Sequence, residues 1–317
     1  MVGMGHSMNQ NKKKNLRRFA WLTLGLFGAC AVANATENGA PTTAFGVYDF
    51  GAGMMPPATP FGTVGLRTAF YSANVQKDRH GRSVDNNLSL DVLSIGVAYM
   101  HMTDYTVLGA KYGYGAVVPF FQMDASVRVQ TPVGPLNLEA DPFRMADIQV
   151  LPVILQWTLS PNLFVNAQLQ IQTPTGDYDE DRLISPGLNH WTFSPILNAT
   201  YISDTGFEVS SSFEVDVNTR NPATDYKSGV EYRHEFAVGQ HVGPWTLGVG
   251  GYYYRQFTDD DAPGLESGNR ARVLAVGPAV SYFKPGVPPI WLHVYKEFDA
   301  RNRAEGYTTA LRISHSF

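Results

Sequence analysis

Most of the charged chemistry in this sequence falls at two-residue spacing. Glu214 and Asp216 share one parity, and Glu231, Arg233 and Glu235 follow, with Lys227 in step with them. Tyr252, Tyr254 and Gln256, then His293, Tyr295 and Glu297, then Arg312, continue the pattern. On an extended backbone such spacing puts each set on one face. Carboxylates and guanidinium groups gathered on facing walls pair with one another. Two readings of that pairing stand side by side: the network braces an enclosed space, or it orients the polar group of a bound molecule whose ring meets the tyrosines.

Hydrolytic and metal chemistry finds less support. His190 has Asn189 beside it and Ser185 in the preceding stretch, the residue types of a Ser/His/Asn lipase site, but no nucleophile motif surrounds Ser185. His315 lies between Ser314 and Ser316, which in a strand point away from it. Asp259, Asp260 and Asp261 could join His190 in a rim protease, yet their spacing fixes no geometry. Asp177, Asp179, Glu180 and Asp181 crowd one loop without the spacing of a calcium loop. His80, His101, His234 and His241 lack a second ligand at metal spacing. The expectation is no catalytic residue, no metal and no cofactor.

The elements that must hold the charged faces are strands. The last eleven residues alternate Tyr307, Thr309, Leu311, Ile313, His315 and Phe317 with Thr308, Ala310, Arg312, Ser314 and Ser316. This gives an apolar face, a polar face and a terminal aromatic, as in the closing strand of a membrane barrel. Eleven further runs precede it, at 62–75, 88–101, 105–123, 146–159, 163–172, 190–202, 207–218, 226–238, 245–257, 272–283, 290–298, with the last at 306–317. Their lengths suit the ~9 to 11 residues that a tilted strand needs to cross a bilayer. Short connections at Thr103-Asp104, 160–162, 203–206, 239–244 and 284–289 alternate with mostly longer ones at 76–87, 124–145, 173–189, 219–225, 258–271 and 299–305. Short periplasmic turns and longer outer loops give that order, with both chain ends in the periplasm. Phe70, Tyr71, Tyr99, Trp157, Trp191, Trp245, Phe257, Tyr282 and Phe298 sit near strand ends, where interfacial girdles form. Charged residues are only 16%, and no run of 18 apolar residues exists outside the N-terminus, so a helical membrane protein is excluded.

Ahead of the strands, Lys12, Lys13, Lys14, Arg17 and Arg18 precede an apolar run from Phe19 to Val32 and the small-residue motif Ala33-Asn34-Ala35. This is a secretory signal with cleavage expected after Ala35. A lipidated Cys30 is the competing reading, although Phe27 departs from a lipobox. Cys30 is the only cysteine, so a chain cut after Ala35 forms no disulfide within itself. Five of the 24 Lys and Arg residues lie in the signal, which leaves 19 against 28 Asp and Glu and a formal charge of −9. Nucleic acid is not an expected partner. Residues 36–60 show neither period and hold prolines, glycines, aromatics and methionines, consistent with a loose leader or a plug inside the barrel.

Several motifs then carry a resemblance. They are Thr175-Gly176-Asp177-Tyr178, Asn189-His190-Trp191-Thr192-Phe193-Ser194-Pro195, Thr224-Asp225-Tyr226-Lys227-Ser228-Gly229, Leu247-Gly248-Val249-Gly250-Gly251-Tyr252, Val276-Gly277-Pro278-Ala279-Val280-Ser281-Tyr282 and Asn302-Arg303. In order and spacing they resemble a bacterial outer-membrane family named for the meta-pathway of phenol degradation. Gly109-Ala110-Lys111-Tyr112 extends the likeness toward the N-terminus, while Arg144-Met145-Ala146-Asp147 departs from the family's usual Gly-Leu-Gly-Asp pattern. The resemblance implies a channel for hydrophobic or aromatic small molecules. The expected molecule is thus an all-β, twelve-stranded, up-and-down outer-membrane barrel over 61–317. Its partners are membrane lipid, a small solute and, through the strand ending in Phe317, the barrel-assembly machinery. A surface hydrolase and a sealed structural or adhesive barrel are the rival functions.

Overall fold

The computed structural model describes residues 36–39, 42–131, 134–140, 143–182, 184–265 and 267–317, so the signal segment expected over 1–35 and its expected cleavage site lie outside the described residues. Twelve long strands form the wall: β1 (Thr63–Lys77), β2 (Ser89–Val107), β3 (Ala110–Thr131), β4 (Gln149–Ser160), β5 (Leu163–Gln172), β6 (Thr192–Ile202), β7 (Phe207–Asn218), β8 (Glu231–Val242), β9 (Trp245–Gln256), β10 (Arg272–Lys284), β11 (Val287–Arg301) and β12 (Arg303–Ser316). Each pairs antiparallel with the next, and β12 returns to β1 from Ser316 opposite Thr63 to Arg303 opposite Lys77. The sheet therefore closes on itself and leaves no long edge, the condition for a sheet to lie in hydrocarbon. Three short strands, at Ser83–Val84, Gly134–Ala140 and Phe143–Met145, extend the loop end of β1 and β3. No described helix is long and apolar enough to cross a membrane.

Alternation decides what each face meets. Along β6, Thr192, Ser194, Asn198 and Thr200 are buried while Phe193, Leu197 and Tyr201 are exposed, and β7 buries Glu208, Ser210, Ser212, Glu214 and Asp216 beneath outward Phe213 and Val217. Leu247, Val249, Leu292, Val294, Leu311 and Ile313 continue the outer apolar belt. An apolar outside around a polar inside inverts the usual rule for water and suits lipid. Replacing Leu311 with Arg should accordingly lower unfolding free energy in lipid vesicles by ~2 to 4 kcal/mol, whereas Ser314→Asn, on the inner face, should change it little. Equal effects at the two sites would show the faces to be reversed.

The structure departs from the sequence expectation in several places. The turn expected at Thr103-Asp104 lies instead at Leu108-Gly109, both at positive φ (51° and 75°), and the register slips between Met102 and Thr106. Two positive φ values in succession give the hairpin twist that joins antiparallel strands. The run expected from 226 starts only at Glu231, because Tyr226 and Lys227 bridge to Asn221 and Asp261 instead. Lys227 therefore sits in a loop and not on the inner wall. The expected loop 299–305 shrinks to Asn302, with Asp299 and Asn302 at positive φ and the strands running on to Arg301 and from Arg303. Tyr71, expected at the interface, turns inward, where its hydroxyl donates to Glu297 Oε2 at 2.8 Å.

Residues 36–39 and 42–60 lie along the length of the interior. At the loop end Thr36 N donates to Asp260 Oδ2 (2.8 Å) and Asn221 Nδ2 donates to Glu37 Oε2 (2.8 Å). At the turn end Phe61 N donates to Phe317 O (3.3 Å), and Met55 and Ala58 pack on Met102, Leu151 and Ile154. The barrel strands begin and end at the turn end, but Thr36 lies at the opposite end from Phe317.

Candidate functional site

An irregular backbone can lie inside a barrel only if its amides and carbonyls find partners. Here the wall supplies them. Glu235 accepts from Gly46 N (2.8 Å) and Tyr48 N (2.6 Å), and Glu208 accepts from Gly51 N (2.7 Å). Arg67 donates to Phe45 O (2.8 Å), Arg233 to Ala44 O (2.7 Å), Arg312 to Val47 O (2.7 Å) and Trp291 Nε1 to Phe50 O (2.9 Å). The side chains follow suit: Thr43 Oγ1 contacts Glu214 and Asp216 at 3.0 Å each, and Thr42 Oγ1 donates to Glu231. Gly46 permits one close passage. It lies at φ +66°, and a Cβ there would stand 2.8 Å from the His293 ring.

Charges of both signs meet across this space. Arg233 pairs with Glu214, and its Nε lies 3.4 Å from Glu235 without the angle of a hydrogen bond. Arg303 pairs with Glu297 at 3.0 Å, and Arg312 with Asp49 at 2.8 Å. His293 Nδ1 lies 3.2 Å from Asp49, its ring stacked on Tyr295 with centroids 4.1 Å apart. Apart from Lys227, the inner-wall residues named from the sequence, Glu214, Asp216, Glu231, Arg233, Glu235, Tyr252, Tyr254, Gln256, His293, Tyr295 and Glu297, are buried, and Arg312 is partly so.

One arrangement within this network is a cradle for a ring. Phe45 lies with its centroid 4.9 Å from both Tyr252 and Tyr254. The Arg303 and Arg233 guanidinium groups stand over it at 5.0 and 5.5 Å. Both tyrosine hydroxyls are tied back, Tyr252 to Glu297 and Tyr254 to Glu231, each at 2.8 Å. The rings thus present their faces, and cation and ring quadrupole attract.

Gln256 takes a different place. Its Nε2 donates to Asp260 and its Oε1 accepts from Ala271 N (3.2 Å), so it closes the loop end of the interior. Burial pushes the Asp260 carboxyl up from its usual range while Tyr226 and the Gly229 amide pull it back. Nearby acids are matched to arginines: Asp259 to Arg270 (2.7 Å), Asp261 to Arg220, and Asp177 to Arg182 (2.5 Å). Ser185 Oγ bonds to the Asp179 backbone (3.2 Å), whereas His190 Nδ1 faces Trp191 O (3.3 Å), so these two are not joined to each other. Burial lowers the His190 imidazole below its ordinary value and raises Asp147 beside it.

Sequence reasoning missed Arg67, Tyr71, Arg303, Trp291, Glu208, Asp49 and Phe45. Parity alone could have found Tyr71, since it shares Arg67's face in β1, opposite Leu66 and Phe70. Arg303 was hidden by reading 299–305 as loop.

A closed twelve-stranded barrel with an apolar girdle and a charged interior is a transmembrane barrel of the outer-membrane class. Over residues 73–313 the chain matches the family described as "Putative MetA-pathway of phenol degradation", and it belongs to that family. Among solved structures it is similar to the COG4313 outer membrane channel from Pseudomonas putida F1, at 16% identity and a TM-score of 0.69, covering 83% of this chain and all of that one. Two weaker likenesses are to the CymD monoaromatic hydrocarbon channel (TM-score 0.45, 11% identity, 91% of this chain and 99% of that) and to the toluene transporter TodX of Pseudomonas putida (0.40, 12%, 91% and 97%). A search of curated proteins gave no match.

Proposed function

We propose that this protein admits a small aromatic solute through the outer membrane without energy input, and that residues 36–60 form a plug that must yield for passage. The observation that carries this reading is the seat of Phe45. Two tyrosine faces and two guanidinium groups converge on a ring that the protein itself supplies. A solute ring of similar size would meet the same surfaces, while Glu231, Glu214 and Asp216, which now take the hydroxyls of Thr42 and Thr43, would take a solute hydroxyl. In this reading the buried wall residues are both the brace and the lining. The longer loops face outward, the signal is removed after Ala35, and the strand ending in Phe317 is the mark for the assembly machinery. The reading excludes catalysis at the rim. Phe45→Ala, which empties the cradle and leaves the backbone contacts in place, should speed entry of a small phenol into liposomes relative to a sugar. Equal acceleration of both solutes would show a leak and sink the aromatic reading.

A further inference from the structure

The contact between Thr36 and Asp260 joins a sequence expectation to a structural one. Cleavage after Ala35 makes Thr36 the first residue and its nitrogen an α-amine, which is protonated at neutral pH. That nitrogen is 2.8 Å from Asp260 Oδ2, with Thr36 3% and Asp260 7% exposed. We propose that the ammonium created at Thr36 by processing is the cationic partner of Asp260, and that this ion pair latches residues 36–60 at the loop end of the barrel.

The surroundings of Asp260 are built for such a partner. Its other donors are all neutral: Tyr226 Oη (2.5 Å), Gly229 N (2.8 Å), Asn269 Nδ2 (3.1 Å) and Gln256 Nε2. Among the described residues no Lys, Arg or His forms an ion pair with it, whereas Asp259 and Asp261 on either side each have an arginine. A buried carboxylate without a cation is expensive, and an ammonium both neutralises it and offers three donors where an amide offers one. Backbone geometry agrees. In the uncut chain Thr36 sits at φ +65°, a region hard on a β-branched residue. Once the preceding carbonyl is gone, φ no longer constrains it. Glu37 fixes the next residue by accepting from Asn221 Nδ2 (2.8 Å) and Thr224 Oγ1 (2.6 Å), so the new terminus is held where Asp260 can reach it.

The proposal rests on the cut after Ala35 and not on the nature of the solute. Protein exported to the outer membrane and purified in detergent is read first by intact mass, which should give Thr36 as the first residue. Its α-amine is then acylated at neutral pH with an N-hydroxysuccinimide ester, the lysines serving as internal reference. Wild type should react on the order of tenfold more slowly than Asp260→Asn, as expected for a buried, paired amine. A second variant carries one glycine inserted between Ala35 and Thr36, which leaves Asp260 untouched and moves the ammonium along by one residue; it should react as fast as Asp260→Asn. A different first residue in the mature protein, or equal labelling of wild type and the insertion variant, would overturn the latch. Neither measurement involves conductance, so the channel reading stands or falls separately.

Discussion

Barrels lacking residues 36–60 should conduct, and intact ones should not. In planar bilayers the deletion is expected to give resolved single-channel steps, and in liposome swelling a rate on the order of tenfold or more above wild type. The reason is that the described residues of the segment lie along the interior, from Thr36 at the loop end to the turn end, and form none of the wall strands. Removing it deletes no strand pairing, since β1 begins at Thr63 and closes on β12. It does leave Arg67, Arg233, Arg312 and Trp291 without the carbonyls they now hold, but these groups would face water. Heat-modifiable mobility on gels should show that the shortened barrel still closes. Silence from both forms would end the channel reading and leave a sealed structural barrel.

Arg233→Ala should destabilise the intact protein more than any other single change on the inner wall. Arg233 pairs with Glu214 and lies 3.4 Å from Glu235, both buried, and deleting it leaves Glu214 without its ion-pair partner and weakens the cationic surroundings of Glu235. Breaking a buried pair in this way costs about 3 to 5 kcal/mol. The penalty should shrink in the barrel lacking 36–60, because water then reaches the same carboxylates. A double-mutant cycle from denaturant midpoints in vesicles checks it. An undiminished penalty in the shortened barrel would mean that Arg233 supports the wall itself and not the packed interior.

How far the fold could be read from the sequence follows from which signals are local. The inner faces of β7, β8, β9 and β11 were legible because two-residue alternation fixes both the strand and the side of the sheet. Chain reversal at Ser160-Pro161-Asn162 was legible for the same reason, its turn residues being adjacent. Leu108 gave no such signal, since a leucine at positive φ is imposed by the hairpin and not announced by the residue. Phe45 was illegible for a deeper reason. Nothing near it in the chain marks it as a ring in a cradle; its partners are Tyr252, Tyr254, Arg233 and Arg303, roughly two hundred residues away. Composition could place aromatics in residues 36–60 but could not say what they touch.

The interior is not alike on all sides. Asn166, Gln168, Gln170 and Gln172 of β5, Thr192, Ser194, Asn198 and Thr200 of β6, and Ser210 and Ser212 of β7 make a largely neutral sector of amides and hydroxyls, Glu208 at the start of β7 excepted, while the other acids, guanidinium groups and rings named above crowd the strands from the end of β7 round through β12 to β1. On the proposed channel reading, a planar guest between them would be filtered by compass bearing, its greasy plane drawn to one bank and its hydrated rim to the other. Positional isomers of one compound, equal in size and oiliness, should therefore travel at unequal speeds.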